Sequence, residues 1–265
     1  MIVVEKSCII LSMKQFAEKY LSHTEEFTVA LDEIDFLERL KPSAVLQYFQ
    51  DLATVHADII GIGFEEMAAR NMIWVLSKLS VKYYRSPKVG ERIKVTTFPR
   101  KPSTAYALRD FYITDKNENV IVSGSSKWLV IDINNHMIRR CSPLFSYPDD
   151  VYFPNEPFED PNKALLNARD GEMKHIMSDI VHLTDIDRNG HMNNARYGDI
   201  LLNAFTPEYL KGREIERFDL NFLNEMKIAD KYDVYCVTDD ETAVIRGQRG
   251  GDTVFRSEIR WKLNA

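Results

Sequence analysis

Apolar positions along this chain change their period twice, in the same order each time. From Phe27 to Ile34 they read as a strand, and from Lys41-Pro42-Ser43 onward Val45, Leu46, Phe49, Leu52, Ala53 and Ile60 recur at the spacing of one helix face. Proline suits a first helical turn, where its missing N–H costs nothing, and Ser43 is read as the cap. Strand-like runs follow at Trp74 to Tyr84, Arg92 to Phe98, Ala105 to Thr114 and Val120 to Ile133, with a polar turn at Lys116-Asn117-Glu118-Asn119. The order then repeats. A strand is predicted from Ile176 to Leu183 and a helix from about Asn193 to Phe205. Strands are predicted at Phe218 to Leu223, Tyr232 to Thr238, Ala243 to Gln248 and Thr253 to Leu263, turning at Asp239-Asp240 and Gly250-Gly251. Between the two, Ser146 to Pro161 holds Pro148, Pro154, Pro157 and Pro161 among acids and aromatics, a semi-rigid linker. The predicted organisation is a repeat over 1–148, a linker over 149–172 and a second repeat over 173–265. The class is α+β, each repeat having one long helix wrapped by an antiparallel sheet.

Composition narrows the setting. At 265 residues, 45% hydrophobic and 28% charged, the chain can bury a substantial core and is not disordered as its main state. Cys8, Cys141 and Cys236 lie far apart with no Cys-x-x-Cys, which argues against a disulfide framework and a thiolate zinc site and fits a reducing cytosol. The run Cys8 to Met13 is too short for a signal segment and nothing approaches a membrane span, so a soluble, cytoplasmic protein is expected. Net charge is -6, but between Lys78 and Arg109 nine cations face a single acid, Glu91. Such a stripe would steer an acidic partner, unless it is merely a solvated strand surface; an acidic chain disfavours nucleic acid.

Chemistry concentrates in Thr184 to Tyr197. Asp187, Asn189 and His191 bring a carboxylate, an amide and an imidazole together just before the second helix, whose N-terminal N–H groups, near Met192 and Asn193, would form an oxyanion hole with the Asn189 amide as a further donor. Read without wider context, Asp187 and Asn189 are better explained as capping the helix or shaping the turn. Asp185-x-Asp187-x-Asn189-Gly190 also opens like a calcium loop. Its twelfth position, where a bidentate glutamate is needed, is Arg196, and the preceding residues read as a strand rather than a helix.

The pattern Asp-x-Asn-x-His-(Val/Met)-Asn-Asn-x-x-Tyr, here Asp187, Asn189, His191, Met192, Asn193, Asn194 and Tyr197, resembles the second hot-dog domain of the acyl-acyl-carrier-protein thioesterases of bacteria and plant plastids. Asn71-Met72-Ile73-Trp74-Val75-Leu76-Ser77-Lys78 is similar to a segment of the plant enzymes, and the resemblance extends from about Glu25 to Trp261. It implies a double hot-dog fold whose sheets join edge to edge, and hydrolysis of fatty acyl-acyl-carrier protein. It also implies catalytic roles for Asp187, Asn189, His191 and, in Leu223-Asn224-Glu225-Met226, for Glu225. Plant members carry a cysteine after that glutamate; Met226 excludes a thiolate nucleophile at this position. Either Glu225 or Asp187 remains open as base or nucleophile, with His191 orienting the attacking group or relaying the proton.

The halves differ where the chemistry sits. Leu40-Lys41-Pro42-Ser43 stands where the second half has Asn189-Gly190-His191, and Arg85-Ser86 aligns with Asn224-Glu225, so a single active site per chain is expected. The first half would supply the acyl cavity, with Phe49 and Trp74 as wall candidates, and docking cations at Lys78, Lys82, Arg85 and Lys88. The implied partner is acyl carrier protein bearing a phosphopantetheine-linked acyl chain, with no metal, cofactor, nucleic acid or membrane span; a homodimer and the chain-length preference stay open. An acyl-coenzyme A thioesterase, a non-catalytic acyl-binding sensor and a hot-dog dehydratase are the rivals. Glu225 with His191 counts against the sensor, and no long-helix histidine arrangement supports the dehydratase.

Overall fold

The structure is a computed structural model describing residues 21–145, 147–152 and 169–263. Cys8, the run Cys8 to Met13 and most of the predicted linker lie outside the described residues. In chain order the elements are β1 (His23–Thr28), α1 (Pro42–Ile59), α2 (Phe64–Ala68), β2 (Met72–Tyr83), β3 (Arg92–Pro99), β4 (Ala107–Thr114), β5 (Val120–Asp132) and the short β6 (Ile138–Arg139). There follow β7 (Lys174–Ile180), α3 (Arg196–Asn203), α4 (Pro207–Leu210), β8 (Arg213–Phe222), β9 (Lys231–Thr238), β10 (Thr242–Arg249) and β11 (Asp252–Leu263). All strands join one antiparallel sheet in the order β1-β3-β4-β5-β2-β8-β11-β10-β9-β7, with β6 on β5. The arrangement is the same from either edge: the strand preceding each main helix lies outermost and the strand following it lies at the centre.

The centre is where the halves meet. Lys78 to Lys82 of β2 pair with Asn221 to Arg217 of β8. Alternation sends Leu79, Val81, Phe218 and Leu220 into the core they share with α1. Ser80 and Asp219 alternate with them; both are buried, and the Ser80 hydroxyl donates to Asp219. Arg217 completes the cluster with two bonds of 2.9 Å to Asp219, so the carboxylate is not left without a counter-charge where water is excluded.

Helix α1 buries the predicted stripe: Val45, Leu46, Phe49, Leu52 and Ala53 are all in the core. Phe49 stacks on Phe111 at 4.3 Å and lies over Gly124, where a Cβ would come within 2.3 Å of its ring. Helices α1 and α3 meet at Gly198. A Cβ there would stand 2.3 Å from the Ser43 nitrogen and 2.6 Å from its Cα, so the crossing is backbone against backbone. Ser43 therefore serves as a seat for α3 and not as a cap. The N-cap is Lys41, which makes no side-chain cap bond.

Three predicted boundaries move for local reasons. Strand β1 ends at Thr28, because the Glu33 carboxylate accepts from the Ala30 N–H at 2.7 Å and bends Leu31–Glu33 into a 3-10 turn. Strand β7 ends at Ile180 in the same way: Asp185 caps the His182 N–H at 2.8 Å and Leu183–Asp185 turn. Helix α3 starts three residues later than predicted, since the Asn193 side chain accepts from the Ala195 N–H and holds an Asx turn there. At the linker's start Asp149–Val151 form a 3-10 turn, and the Val151 carbonyl accepts from the Leu21 N–H at 2.8 Å. No helix among the described residues is long and apolar enough to cross a membrane.

Gly198→Val should force the two helices apart and lower unfolding free energy by about 1–3 kcal/mol, as overpacking of tight contacts does. Urea denaturation followed by far-ultraviolet circular dichroism checks it; an unchanged midpoint would show that the crossing tolerates a side chain.

Candidate active site

The loop before α3 is folded by its own side chains. Asp187 takes the centre: Oδ1 accepts from the N–H groups of Asn189 at 2.8 Å and His191 at 3.3 Å, while Oδ2 accepts from the Asn189 side-chain amide at 3.2 Å. The Asp187 N–H donates to the His191 carbonyl, and the Gly190 N–H to the Asp187 carbonyl. Gly190 sits at φ +79°, a conformation that costs glycine nothing. A bridge between Ile186 and Met192 closes the turn, which holds the His191 ring at a fixed place.

A second tie brings in the remote carboxylate. The Met192 N–H donates to the Met226 carbonyl at 2.8 Å, which docks the turn after β8 against the loop. His191 Nε2 then stands 2.8 Å from Glu225 Oε2. An ionised carboxylate only accepts, so in this contact Nε2 carries the proton. The side chains are 27% and 55% exposed, a setting in which an ion pair contributes little to stability, and both remain reachable by solvent and substrate. Arg249, which the sequence reasoning did not single out, donates from Nη1 to the Glu225 carbonyl at 2.7 Å. Beneath the pair Tyr197 is buried edge-on against Phe222 and Phe255, and burial pushes its phenol well above the ordinary range.

The sequence-predicted residues Asp187, Asn189, His191 and Glu225 are thus gathered in one place. The oxyanion hole expected at Met192 and Asn193 is not available. Their N–H groups are spent on the carbonyls of Met226 and Asp185, both at 2.8 Å, because the chain must cross β8's turn before α3 can begin. Arg196 stands 3.8 Å from Asp185, a cation beside the first residue of the calcium-like spacing.

The loop has a counterpart in the first half, three residues upstream of the one read from sequence. Asp35 Oδ1 accepts from the N–H groups of Leu37 at 2.8 Å and Arg39 at 3.0 Å, the Asp35 N–H donates to the Arg39 carbonyl, and Ile34 bridges Leu40. Glu38 takes the left-handed position at φ +59°, and the Ser86 hydroxyl accepts from the Leu40 N–H where the Met226 carbonyl accepts from Met192. The aspartate is therefore present in both loops. The amide, imidazole and glutamate are not: Leu37 and Arg39 replace Asn189 and His191, and Arg39 is spent on Asp35 and the Arg213 carbonyl. The aligned blocks were misread because that loop shares hydrogen bonds rather than letters.

An apolar cleft runs from Asn194, three residues past His191, between α1 and the sheet, walled by Leu46, Phe49, Leu76, Phe111 and Trp128. Phe49 lines it as expected. Trp74 does not: its indole donates to the Ile62 carbonyl at 3.0 Å and packs with Met67, Val130 and Cys141 in a separate cluster under α2. Trp128 holds the wall position instead. With room for about one water, the cleft must open before it takes a chain.

Folding takes two of the nine cations of the basic stripe off the surface. Arg100 and Arg109 are 8% and 7% exposed, the first on Asp110 at 2.7 Å, the second between His56 and Thr97. Burial and the Arg109 charge depress the His56 imidazole to about 3. Arg85 is held by Glu91 and Asp115. Because β2 and β8 run antiparallel, Arg85 and Lys88 also lie at the end of the seam opposite Glu225; Lys78, paired with Asn221, is at the near end and Lys82 between. Cys236 is buried on β9, its thiol pushed up to about 11 by burial.

Comparison with known proteins follows this geometry. The description Acyl-ACP thioesterase N-terminal domain matches residues 20–146, and Acyl-ACP thioesterase C-terminal domain matches residues 169–263. A palmitoyl-acyl carrier protein thioesterase, chloroplastic, from Cuphea hookeriana is 28% identical over 217 residues, 76% of this chain and 51% of the relative. The oleoyl-acyl carrier protein thioesterase 1, chloroplastic, of Arabidopsis thaliana is 21% identical, over 92% of this chain and 70% of its own length. The chain thus spans about half the length of the first curated relatives it matches. In structure, an acyl-ACP thioesterase from Bacteroides thetaiotaomicron gives a TM-score of 0.80 at 23% identity, covering 91% of this chain and 98% of that one. The 12:0-ACP thioesterase from Umbellularia californica gives 0.81 at 20%, covering 92% and 98%.

The two aspartates separate structure from chemistry. Asp35→Ala should cost about 1–2 kcal/mol of stability by freeing two N–H groups while the folded protein keeps its turnover, whereas Asp187→Ala should also lower kcat. Denaturation and kinetics on both variants check this; equal losses of turnover would refute it.

Proposed function

The chain belongs to the acyl-ACP thioesterase family, and we propose that it hydrolyses the thioester of fatty acyl-acyl-carrier protein at the His191–Glu225 pair. The observation that carries the reading is the 2.8 Å contact between an imidazole and a glutamate from two separate loops, one held by its own aspartate and the other by Arg249. In the reaction Glu225 takes a proton from water as the water oxygen adds to the thioester carbon. The carbon–sulfur bond then breaks, and His191 relays the proton to the departing phosphopantetheine sulfur. With the Met192 and Asn193 N–H groups spent, the developing oxyanion falls to side-chain amides, Asn189 in the loop and Asn194 at the cleft mouth. Asp187 supports this arrangement by fixing Asn189.

The acyl chain enters the cleft beside Phe49 and Trp128, a narrow apolar site with the reacting carbonyl at its mouth. Carrier-protein docking uses the end of the seam where Lys78 lies, with the exposed Arg188 and Lys227 nearby on the site's own turns. The mirrored strand order and the paired aspartate turns support two copies of one hot-dog unit, the first over 1–148 and the second over 173–265, only the second bearing the chemistry. The free, buried Cys141 and Cys236 support a reducing compartment such as the cytosol.

Glu225→Gln should lower kcat on acyl-acyl-carrier protein by about 10²- to 10⁴-fold while leaving the fold intact. A panel of carrier-protein thioesters, measured beside the matching coenzyme A thioesters, tests both the activity and the donor. Parental turnover in the variant would remove Glu225 from catalysis, and faster turnover of the coenzyme A series would make that the natural donor.

A further inference from the structure

Glu225 follows β8 at the start of a tight turn that Asp230 ends. Asp230 Oδ2 accepts from the Lys227 N–H at 2.8 Å and from Arg249 Nη1 at 2.6 Å, and the same nitrogen donates to the Glu225 carbonyl at 2.7 Å. Burial alone would raise the Asp230 carboxyl; the Lys227 N–H and the Arg249 guanidinium outweigh it and hold it below the usual carboxylate range. A guanidinium so close to residue 225 has an obvious alternative partner, the Glu225 carboxylate, yet that carboxylate is turned to His191.

The first half holds a related cluster in a different arrangement. There Glu91 ends the corresponding turn, accepting from the Lys88 N–H at 3.0 Å. The charges are exchanged: the cation, Arg85, opens the turn and the acid, Asp115, follows the neighbouring strand β4, where in the second half Glu225 opens the turn and Arg249 ends β10. In the first half Arg85 is gripped by Glu91, at 3.0 and 2.5 Å, and also pairs with Asp115 at 3.3 Å. In the second the equivalent side-chain pair is not formed among the described residues.

Resting on the reading of Glu225 as the base, we propose that Arg249 and Asp230 are positioning residues: Arg249 pins the peptide of residue 225, and Asp230 keeps that guanidinium off the Glu225 carboxylate so that His191 is its partner. The titratable and charged groups around Glu225 are His191 on the site loop, Tyr197 on α3, Lys227 and Asp230 on its own turn and Arg249 on β10. Releasing Arg249 adds a cation at the carboxylate, which favours its ionised form and weakens it as a base.

The test is steady-state hydrolysis of an acyl-acyl-carrier-protein thioester across pH for Asp230→Asn, for Arg249→Gln, for Arg249→Lys and for Asp230→Asn combined with Arg249→Gln. In Asp230→Asn, kcat should fall about 10- to 100-fold with KM little changed, and the acid limb of kcat should move to lower pH by about one unit or more. In the double variant that limb should return to its parental position although kcat stays low. Arg249→Gln should lose kcat, with the limb displaced to higher pH because the Asp230 carboxylate is left without its cation, and Arg249→Lys should recover part of the loss; these two carry the test if Asp230→Asn does not fold. A parental kcat and acid limb in Asp230→Asn, a shifted limb that persists in the double variant, or parental kcat in Arg249→Gln overturns the proposal. Glu225→Gln separates the two failures: inactive Glu225→Gln beside parental Asp230→Asn removes the positioning pair alone, while active Glu225→Gln removes the base itself.

Discussion

Five residue pairs between β2 and β8 are the constraint on which this molecule depends. They make one sheet out of two, cover what would be two exposed strand edges, and set α1 and α3 on the same face, close enough to touch. Register matters here because side chains alternate. A slip of one residue would send Leu79, Val81, Phe218 and Leu220 out of the core and bring the Ser80–Asp219–Arg217 cluster in. The polar cluster thus discriminates among alignments that the apolar residues alone would leave closer in energy.

From that pairing the site follows. Strand β8 runs out toward the α3 end of the sheet, so the turn after it arrives beside the loop that precedes α3, and one backbone bond from Met192 to Met226 completes the approach. Few of the bonds that build the site are between the side chains proposed to be catalytic. The loop is folded by Asp187 and the opposing turn by Asp230 and Arg249, which leaves His191 and Glu225 free to meet.

Element types and the four central residues were legible in the sequence, because strand and helix periods are local and the Asp187-to-Asn194 pattern is dense. Boundaries at β1, β7 and α3 were not, since each is set by a carboxylate or amide reaching three residues or fewer along the chain to an N–H group, a bond that apolar periodicity does not encode. Trp74 was expected on the cleft wall, where Trp128 stands, because alternation tells which face of a strand a ring takes but not which cluster on that face receives it. The charge stripe is thinned for a related reason: Arg100 and Arg109 look like their neighbours in a count of charges and lie inside the fold. Arg249 carries no motif at all. Only its distance to residue 225 reveals it.

The meeting of α1 and α3 without an intervening side chain has one more consequence. Phe49, on the cleft wall, and Ser43, under Gly198, belong to the same rigid helix, and α3 grows directly out of the turn that bears His191 and Asn194. In the proposed reaction, a chain that wedges the wall aside leans, through one stiff rod onto another, on the groups assigned to its cleavage. Fit along the hydrocarbon would then be felt in the rate of bond breaking as well as in grip, and selectivity among acyl chains would be a mechanical property of the crossing.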